Sequence, residues 1–114
     1  MRAQALRDRA EEASMKKLHH VAIAVRDLGK AADFYRDVLG LKPAGEESVP
    51  EQKVRVAFFE GGETLIELVA PEAADAPIAK FLETRGPGLH HICIEVDDIE
   101  AEMARLRGAG AAFI

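Results

Sequence analysis

One segment of the chain occurs twice, and this repeat constrains the fold more than any other feature. Residues 18–28 read LHHVAIAVRDL, and residues 89–99 read LHHICIEVDDI. Each copy contains a run rich in β-branched residues, which favours a strand, followed by an acidic residue that is typical of a helix N-cap. Apolar residues then recur at helical spacing after each copy. The sequence therefore predicts two related strand–helix units, as expected of a duplicated module.

The segment between the two copies completes the first module. Residues 53–59 and 64–70 are predicted strands, and the Gly-Gly pair between them is a hairpin turn signal. Residues 41–44 predict a shorter strand that pairs with them. The fold class is therefore α+β, built from duplicated β-α-β-β-β modules, and residues 15–71 form the first module.

The rest of the chain divides into three predicted parts. Residues 72–88 form a connector with a short helix that Asp75 caps. Residues 89–114 form a second module that is truncated after its helix, with the final AAFI starting another strand. Residues 1–14 are expected to be an N-terminal extension, disordered or a frayed helix, which precedes the domain of residues 15–114.

Composition excludes several functional classes. The formal net charge is −5, with 15 Lys and Arg against 20 Asp and Glu, whereas nucleic-acid binders normally present a basic face. The single cysteine, Cys93, excludes an internal disulfide and fits a reducing cytoplasm. Apolar runs are far shorter than the ~20 residues that a membrane span requires. We therefore expect a cytoplasmic domain with neither nucleic acid nor membrane as a partner.

The repeated histidines are the candidate functional residues. Because side chains alternate along a strand, His20 and His91 lie on the face opposite the more apolar residues of their strands. Pseudo-symmetry brings equivalent positions of two modules together, and paired imidazoles suit zinc, cobalt, nickel or manganese. Glu67 lies among apolar residues of a predicted strand, where an unpaired carboxylate costs several kcal/mol if it is buried. A metal ion would be one partner for it.

Simpler interpretations exist for each candidate. A histidine at a strand start is often only hydrogen-bonded or exposed, and Glu67 can face water from an edge strand. Cys93 is interpreted as a small core residue, because nothing nearby marks it as a nucleophile. Asp97 and Asp98 are interpreted as helix caps, with Asp97 and Glu100 forming a capping box.

These segments together resemble the vicinal oxygen chelate (glyoxalase-like) superfamily. The resemblance runs almost continuously from Lys16 to Ile114. It is carried by LHHVAIAVRDLGKAADFYRDVLGLK (18–42), VPEQKVRVAFFEGGETLIELVAP (49–71), DAPIAKFLETRGPGLHH (75–91) and ICIEVDDIEAEMARLRGAG (92–110). Within the superfamily, the chain is most similar to the branch whose members epimerise methylmalonyl-CoA.

The resemblance implies a site and an activity. His20, Glu67 and His91 match three of the four ligands of a divalent ion, which is cobalt, zinc, manganese or nickel. The family's fourth ligand, a Glu in the last strand of the second module, has no match in this sequence. Val56 takes the position of a further Glu that serves in acid–base catalysis, so the catalytic residue is unknown. The implied isomerase epimerises methylmalonyl-CoA at C2 through a metal-stabilised enolate. Implied partners are the CoA thioester and a second copy of the chain in a homodimer.

Two other functions stay open at this level. One is a lactoylglutathione lyase-type glyoxalase, which would use the same metal on another enediolate. The other is a non-catalytic glyoxalase-like binding protein. The incomplete second module also predicts either that residues 1–114 are part of a longer enzyme, or that the chain completes its sheet through a partner.

Overall fold

The structure, a computed structural model, describes residues 16–114, and the predicted N-terminal extension lies outside them. The strands are β1 (Lys16–Ala24), β2 (Lys42–Val49), β3 (Val54–Gly61), β4 (Thr64–Pro71) and β5 (Gly88–Val96). The α-helices are α1 (Leu28–Asp33), α2 (Pro77–Arg85) and α3 (Ile99–Gly108). A π-helical turn (Phe34–Val38) continues α1, and a 3₁₀ turn (Pro50–Gln52) joins β2 to β3. Within residues 16–114, no helix is both long and apolar enough to cross a membrane.

The strands form one mixed sheet in the order β2-β3-β4-β1-β5. Strands β2, β3 and β4 pair antiparallel, whereas β1 pairs parallel to β4. The two strands that carry the repeated histidines, β1 and β5, are neighbours in this sheet. The predicted α+β fold with a β-α-β-β-β first module is therefore confirmed.

The described chain divides into two compact units. The larger unit comprises residues 18–93. The smaller unit comprises residues 94–114 with Lys16 and Lys17. In the smaller unit, the carboxylate of Glu102 on α3 lies 3.4 Å from Lys16 Nζ and also pairs with Arg105.

The larger unit has apolar residues packed on both faces of its sheet. On one face, Phe59 and Leu68 are buried against Ile23 and Val25 and against the apolar side of α1. This confirms that the more apolar face of β1 packs under the first helix. On the other face, Ala22, Ala24, Val54, Val56 and Val69 are buried with Ile78 and Leu82 of α2. The connector helix thus forms part of the core, a role that was not among the sequence-based expectations.

Two predicted strand segments differ from the structure. The expected short strand at 41–44 is longer, because β2 follows the open edge of β3 as far as Val49, with a register shift between Pro43 and Glu46. The final AAFI is not a strand.

The predicted caps of α2 and α3 are only partly right. Ala76, not Asp75, is the N-cap of α2, because Asp75 instead pairs with Lys53. The predicted cap at Asp98 is confirmed, since its side chain accepts a hydrogen bond from the Ala101 backbone N–H at 3.1 Å. The predicted capping box of Asp97 and Glu100 is wrong, because the N-cap of α3 is Asp98.

Candidate functional site

All four histidines of the chain lie in two adjacent pairs at neighbouring strands of the larger unit. His19 and His20 belong to β1, and His90 and His91 belong to β5. The inner members of the pairs meet, because His20 Nε2 lies 3.4 Å from His91 Nε2. Residues that are 71 positions apart in sequence are therefore brought together by the sheet order.

Glu67 contacts His20 from β4, the strand on the other side of β1 from β5. It lies on β4, opposite Ala22 in the parallel pairing, and therefore on the same face of the sheet as His20. Its Oε2 atom is 3.4 Å from His20 Nε2, and both side chains are only 17% exposed. The Nε2 atom of His20 thus has both predicted partners of the site within 3.4 Å.

This spacing suits a shared cation. Metal–nitrogen and metal–oxygen bonds are about 2.0–2.2 Å long, so ligand atoms around one tetrahedral ion are separated by about 3.4 Å. Imidazole nitrogen and carboxylate oxygen are the donor types that zinc, cobalt, nickel and manganese accept. The donor types of His20, Glu67 and His91 therefore suit such an ion, and the two distances from His20 Nε2 match its ligand spacing.

The outer histidines contact the inner ones. His19 Nδ1 is 2.9 Å from His20 Nδ1, and His90 Nδ1 is 2.8 Å from His91 Nδ1. The His90 ring also lies edge-on to Phe81 of α2, with ring centroids 4.8 Å apart. Burial, and secondarily the neighbouring His91, lower the pKa of His90, which favours a neutral ring. The sequence pattern pointed to His20 and His91, although the doubling of histidine in both copies was an available signal for His19 and His90 as well.

Cys93 offers a second group of potential ligands. It is half-buried and belongs to neither buried core cluster, so its prediction as a core residue is wrong. One ligand atom each from His19, His20 and Cys93 lie within 4.8 Å of one another. His20 belongs to both this group and the set of His20, Glu67 and His91, and the two sets offer an ion different partners beside it.

A pocket of about 320 Å³ adjoins these residues, and all of its lining belongs to the larger unit. Its walls are mainly apolar side chains of β3, β4 and α2, with four polar groups among them. The lining residues are Val49, Gln52, Val54, Val56, Glu67, Val69, Pro77, Ile78, His90 and His91. A mainly apolar cavity with a few converging polar groups is typical of a small-molecule site.

The face of the sheet under the pocket also carries Glu47. In the antiparallel pairing of β2 and β3, Glu47 lies directly opposite Val56. Residues that are opposite one another in a ladder project to the same face, so Glu47 shares the face of Val56 and Val49. The family resemblance implied a Glu at the position of Val56. Glu47 provides a carboxylate residue on the neighbouring strand, directly opposite that position.

Comparison with known proteins gives one consistent family. The model of the Glyoxalase/Bleomycin resistance protein/Dioxygenase superfamily matches residues 19–114. Mitochondrial methylmalonyl-CoA epimerase of Mus musculus is 47% identical over 92 residues, which are 80% of this chain and 52% of that protein. The chain spans about half the length of the mouse, human and bovine relatives that it matches.

Solved structures agree with this comparison. Methylmalonyl-CoA epimerase from Mycobacterium tuberculosis superposes with a TM-score of 0.77 at 39% identity, covering 85% of this chain and 66% of that one. A variant of Streptomyces coelicolor methylmalonyl-CoA epimerase, in complex with 2-nitronate-propionyl-CoA, gives a TM-score of 0.75 at 31% identity. That match covers 84% of this chain and 73% of the Streptomyces chain.

Proposed function

The chain belongs to the Glyoxalase/Bleomycin resistance protein/Dioxygenase superfamily, and we propose that it is a metal-dependent isomerase that epimerises methylmalonyl-CoA at C2. The observation that carries the metal site is the position of His20 Nε2, 3.4 Å from both His91 Nε2 and Glu67 Oε2. The choice of substrate is supported by relatives named methylmalonyl-CoA epimerase at 47% and 46% identity.

Three side chains hold the divalent ion in this proposal. His20 and His91 contribute Nε2, and Glu67 contributes a carboxylate oxygen. When bound, the ion supplies Lewis-acid stabilisation of the negative charge that develops on the substrate when its C2 proton is removed. Cobalt, zinc, manganese and nickel all suit this donor set.

The pocket walls have a separate task. Val54, Val56, Val69 and Ile78 present apolar surface next to Glu67 and His91. Apolar walls exclude water, and electrostatic interactions are stronger where the local dielectric constant is low. Gln52 is a polar lining residue whose side-chain amide can both donate to and accept from a polar group of the substrate.

We assign the removal of the C2 proton to Glu47. Glu47 belongs to the sheet face that borders the pocket and lies opposite Val56 in the β2–β3 pairing. In this step the proton passes from C2 to a carboxylate oxygen, and the electron pair of the C–H bond is delocalised into the thioester carbonyl. A solvent water on the opposite face of C2 then donates a proton to the carbanion carbon and completes the inversion, while Glu47 releases the abstracted proton to solvent.

Proton NMR of methylmalonyl-CoA in heavy water tests this function. We expect the C2 proton signal to disappear when the chain is loaded with cobalt and to persist without metal. The variant His91→Ala should abolish the exchange while retaining the fold, as monitored by circular dichroism. Absence of exchange from folded, cobalt-loaded protein would overturn the proposal. Turnover of the glutathione hemithioacetal of methylglyoxal in place of methylmalonyl-CoA would support the lyase alternative instead.

A further inference from the structure

The pocket extends from Glu67 to Gln52, a polar residue outside the proposed ligand set. We propose that Gln52 binds the second amide of the pantetheine arm of a CoA thioester, and that the apolar walls between Gln52 and Glu67 hold the methylene groups of that arm. This inference rests on the proposed function. It adds the contact by which the chain distinguishes a pantetheine thioester from a shorter one.

The strand pairing gives the length of the pocket. Glu67 lines the pocket from β4, and Val54 lines it from β3, where it pairs with Pro71 of β4. Glu67 and Pro71 are four residues apart on one strand, so their levels differ by about 14 Å at about 3.4 Å per residue. Gln52 precedes Val54 in the 3₁₀ turn that joins β2 to β3. The pocket therefore runs along the strands from the candidate metal site to this turn.

The polar groups of the pocket lie at its two ends. Glu67 and the histidines of β5 lie at one end, and Gln52 lies at the other. Val56 and Val69 pair with each other at an intermediate level, and both are buried. A ligand that fills the length of this pocket therefore needs polar groups at both ends and apolar groups between them.

The pantetheine arm has this pattern and this length. From the thioester carbon, the sulfur and two methylene groups lead to a first amide, and two further methylene groups lead to a second amide. An extended chain advances about 3.3–3.6 Å for every three bonds, so the second amide nitrogen, eight bonds along, lies about 9 Å from the thioester carbon. With the thioester carbonyl beside Glu67, the rest of the distance to the turn is within the reach of the Gln52 side chain.

The side chain of Gln52 is available for this contact, and its backbone is held in place. Within residues 16–114, the Gln52 amide has no hydrogen-bond partner. It can donate to the carbonyl of a ligand amide and accept from its N–H. Next to it, the Lys53 N–H donates to the Pro50 carbonyl at 3.1 Å, and the Glu72 N–H donates to the Lys53 carbonyl at 2.8 Å. The turn is thus fixed while the amide stays free.

Substrates of different length test the proposal with the cobalt-loaded chain. Gln52→Met removes the amide but keeps an unbranched side chain of similar length. For C2 proton exchange of methylmalonyl-pantetheine, this variant should raise KM about two- to tenfold for each hydrogen bond lost. The value of kcat should not change, because the amide lies far from C2 and is bound equally in the ground and transition states.

The controls are a shorter substrate and a neighbouring residue. Methylmalonyl-N-acetylcysteamine ends after the first amide, so its KM should be equal for Gln52→Met and wild type. Glu51→Ala changes a residue of the same turn that does not line the pocket, and it should leave both KM values unchanged. An unchanged KM of Gln52→Met for the pantetheine thioester, or an equal rise for both thioesters, would overturn the inference.

NMR gives a readout that does not need turnover. The side-chain NH₂ signal of Gln52, identified by its absence in Gln52→Met, should shift when methylmalonyl-pantetheine is added and stay in place with methylmalonyl-N-acetylcysteamine. A signal that does not move with the pantetheine thioester contradicts the contact. If neither thioester exchanges its C2 proton, the proposed function fails, whereas the Gln52 signal still decides this inference.

Discussion

At the scale of single residues, His20 is the side chain on which the candidate site depends. Its Nε2 lies 3.4 Å from both His91 and Glu67, and its Nδ1 lies 2.9 Å from His19. Both ring nitrogens of His20 therefore have a partner within 3.4 Å. A substitution at His20 removes the atom that these contacts share.

Two ligand sets compete for His20, and cobalt spectroscopy distinguishes them. If Glu67 is a ligand, Glu67→Ala should weaken cobalt binding by at least about tenfold, the lower limit for losing even an outer-shell partner. Cys93→Ser should leave the affinity unchanged. A thiolate-to-cobalt charge-transfer band in the near ultraviolet that disappears in Cys93→Ser would instead favour the His19, His20 and Cys93 group.

Glu47 allows a test with a matched neighbour. Glu47→Gln should slow exchange of the C2 proton by about 10²–10⁴-fold, the usual contribution of a positioned general base, with cobalt affinity unchanged. Glu46→Gln is the control, because Glu46 pairs opposite Ala57 on the other face of the sheet and lies 3.4 Å from Arg55. Equal rates in the Glu47→Gln variant and the wild type would exclude Glu47 as the base.

At the scale of elements, helix ends show how local and tertiary contacts compete. The Asp27 side chain accepts a hydrogen bond from the Lys30 backbone N–H at 3.0 Å and caps α1, as the sequence predicts. Asp75 stands in a similar sequence context before α2 but pairs with Lys53. An available lysine on a distant segment thus redirects a side chain that local rules assign to a cap.

These two aspartates should respond differently to substitution. Asp27→Ala should lower the free energy of unfolding by about 1 kcal/mol, the typical value of an N-cap. Asp75→Ala removes only an ion pair whose side chains are 48% and 70% exposed, and we expect a smaller loss. Urea denaturation of both variants compares them, and an equal loss would show that Asp75 is worth as much as a cap.

The first turn of α3 has a pH-sensitive ion pair. The hydrogen bond from Arg105, followed by the charges of Arg105 and Lys16, lowers the pKa of Glu102 below its ordinary value of 4.5. A lowered pKa in the folded state stabilises that state above the ordinary value, and the stabilisation is lost as the pH falls through the lowered value.

Glu102→Gln should therefore lower the urea midpoint at neutral pH, and the difference from wild type should shrink as the pH falls below 4.5. Glu100→Gln is the matched control, since it removes another carboxylate from the same helical turn. A difference between Glu102→Gln and wild type that does not change with pH would contradict the ion-pair origin of this stability.

At the scale of the larger unit, the two sheet faces have separate tasks. One face packs against α1 around Leu68, which is fully buried, and the other packs against α2 and borders the pocket. Leu68→Ala should cost about 2–5 kcal/mol of unfolding free energy because it leaves a cavity in the core. Cobalt affinity of the folded protein should not change, since the site lies on the other face. A parallel loss of affinity, measured by titration well below the unfolding temperature, would show that the faces are coupled.

Much of the first module follows from local pattern, and the exceptions have physical reasons. The apolar strands β3 and β4 and the first helix are predictable, because their side chains alternate or recur with the period of the element. The extension of β2 beyond residue 44 is not, since KPAGEESV contains Gly, Pro and charged residues that disfavour strands. It becomes a strand because the edge of β3 offers unpaired backbone donors and acceptors.

The sequence alone determined the two-histidine repeat, the candidate triad of His20, Glu67 and His91, and the family, because the types and order of residues carry these features. The tertiary structure decided which atoms meet, because contacts between residues 71 positions apart depend on strand order and register. It also brought Glu47 to the pocket side and the outer histidines against the inner ones. Hydrogen-bond direction, ring orientation and pocket shape arise only when distant segments pack, and the chemistry of the site depends on all three.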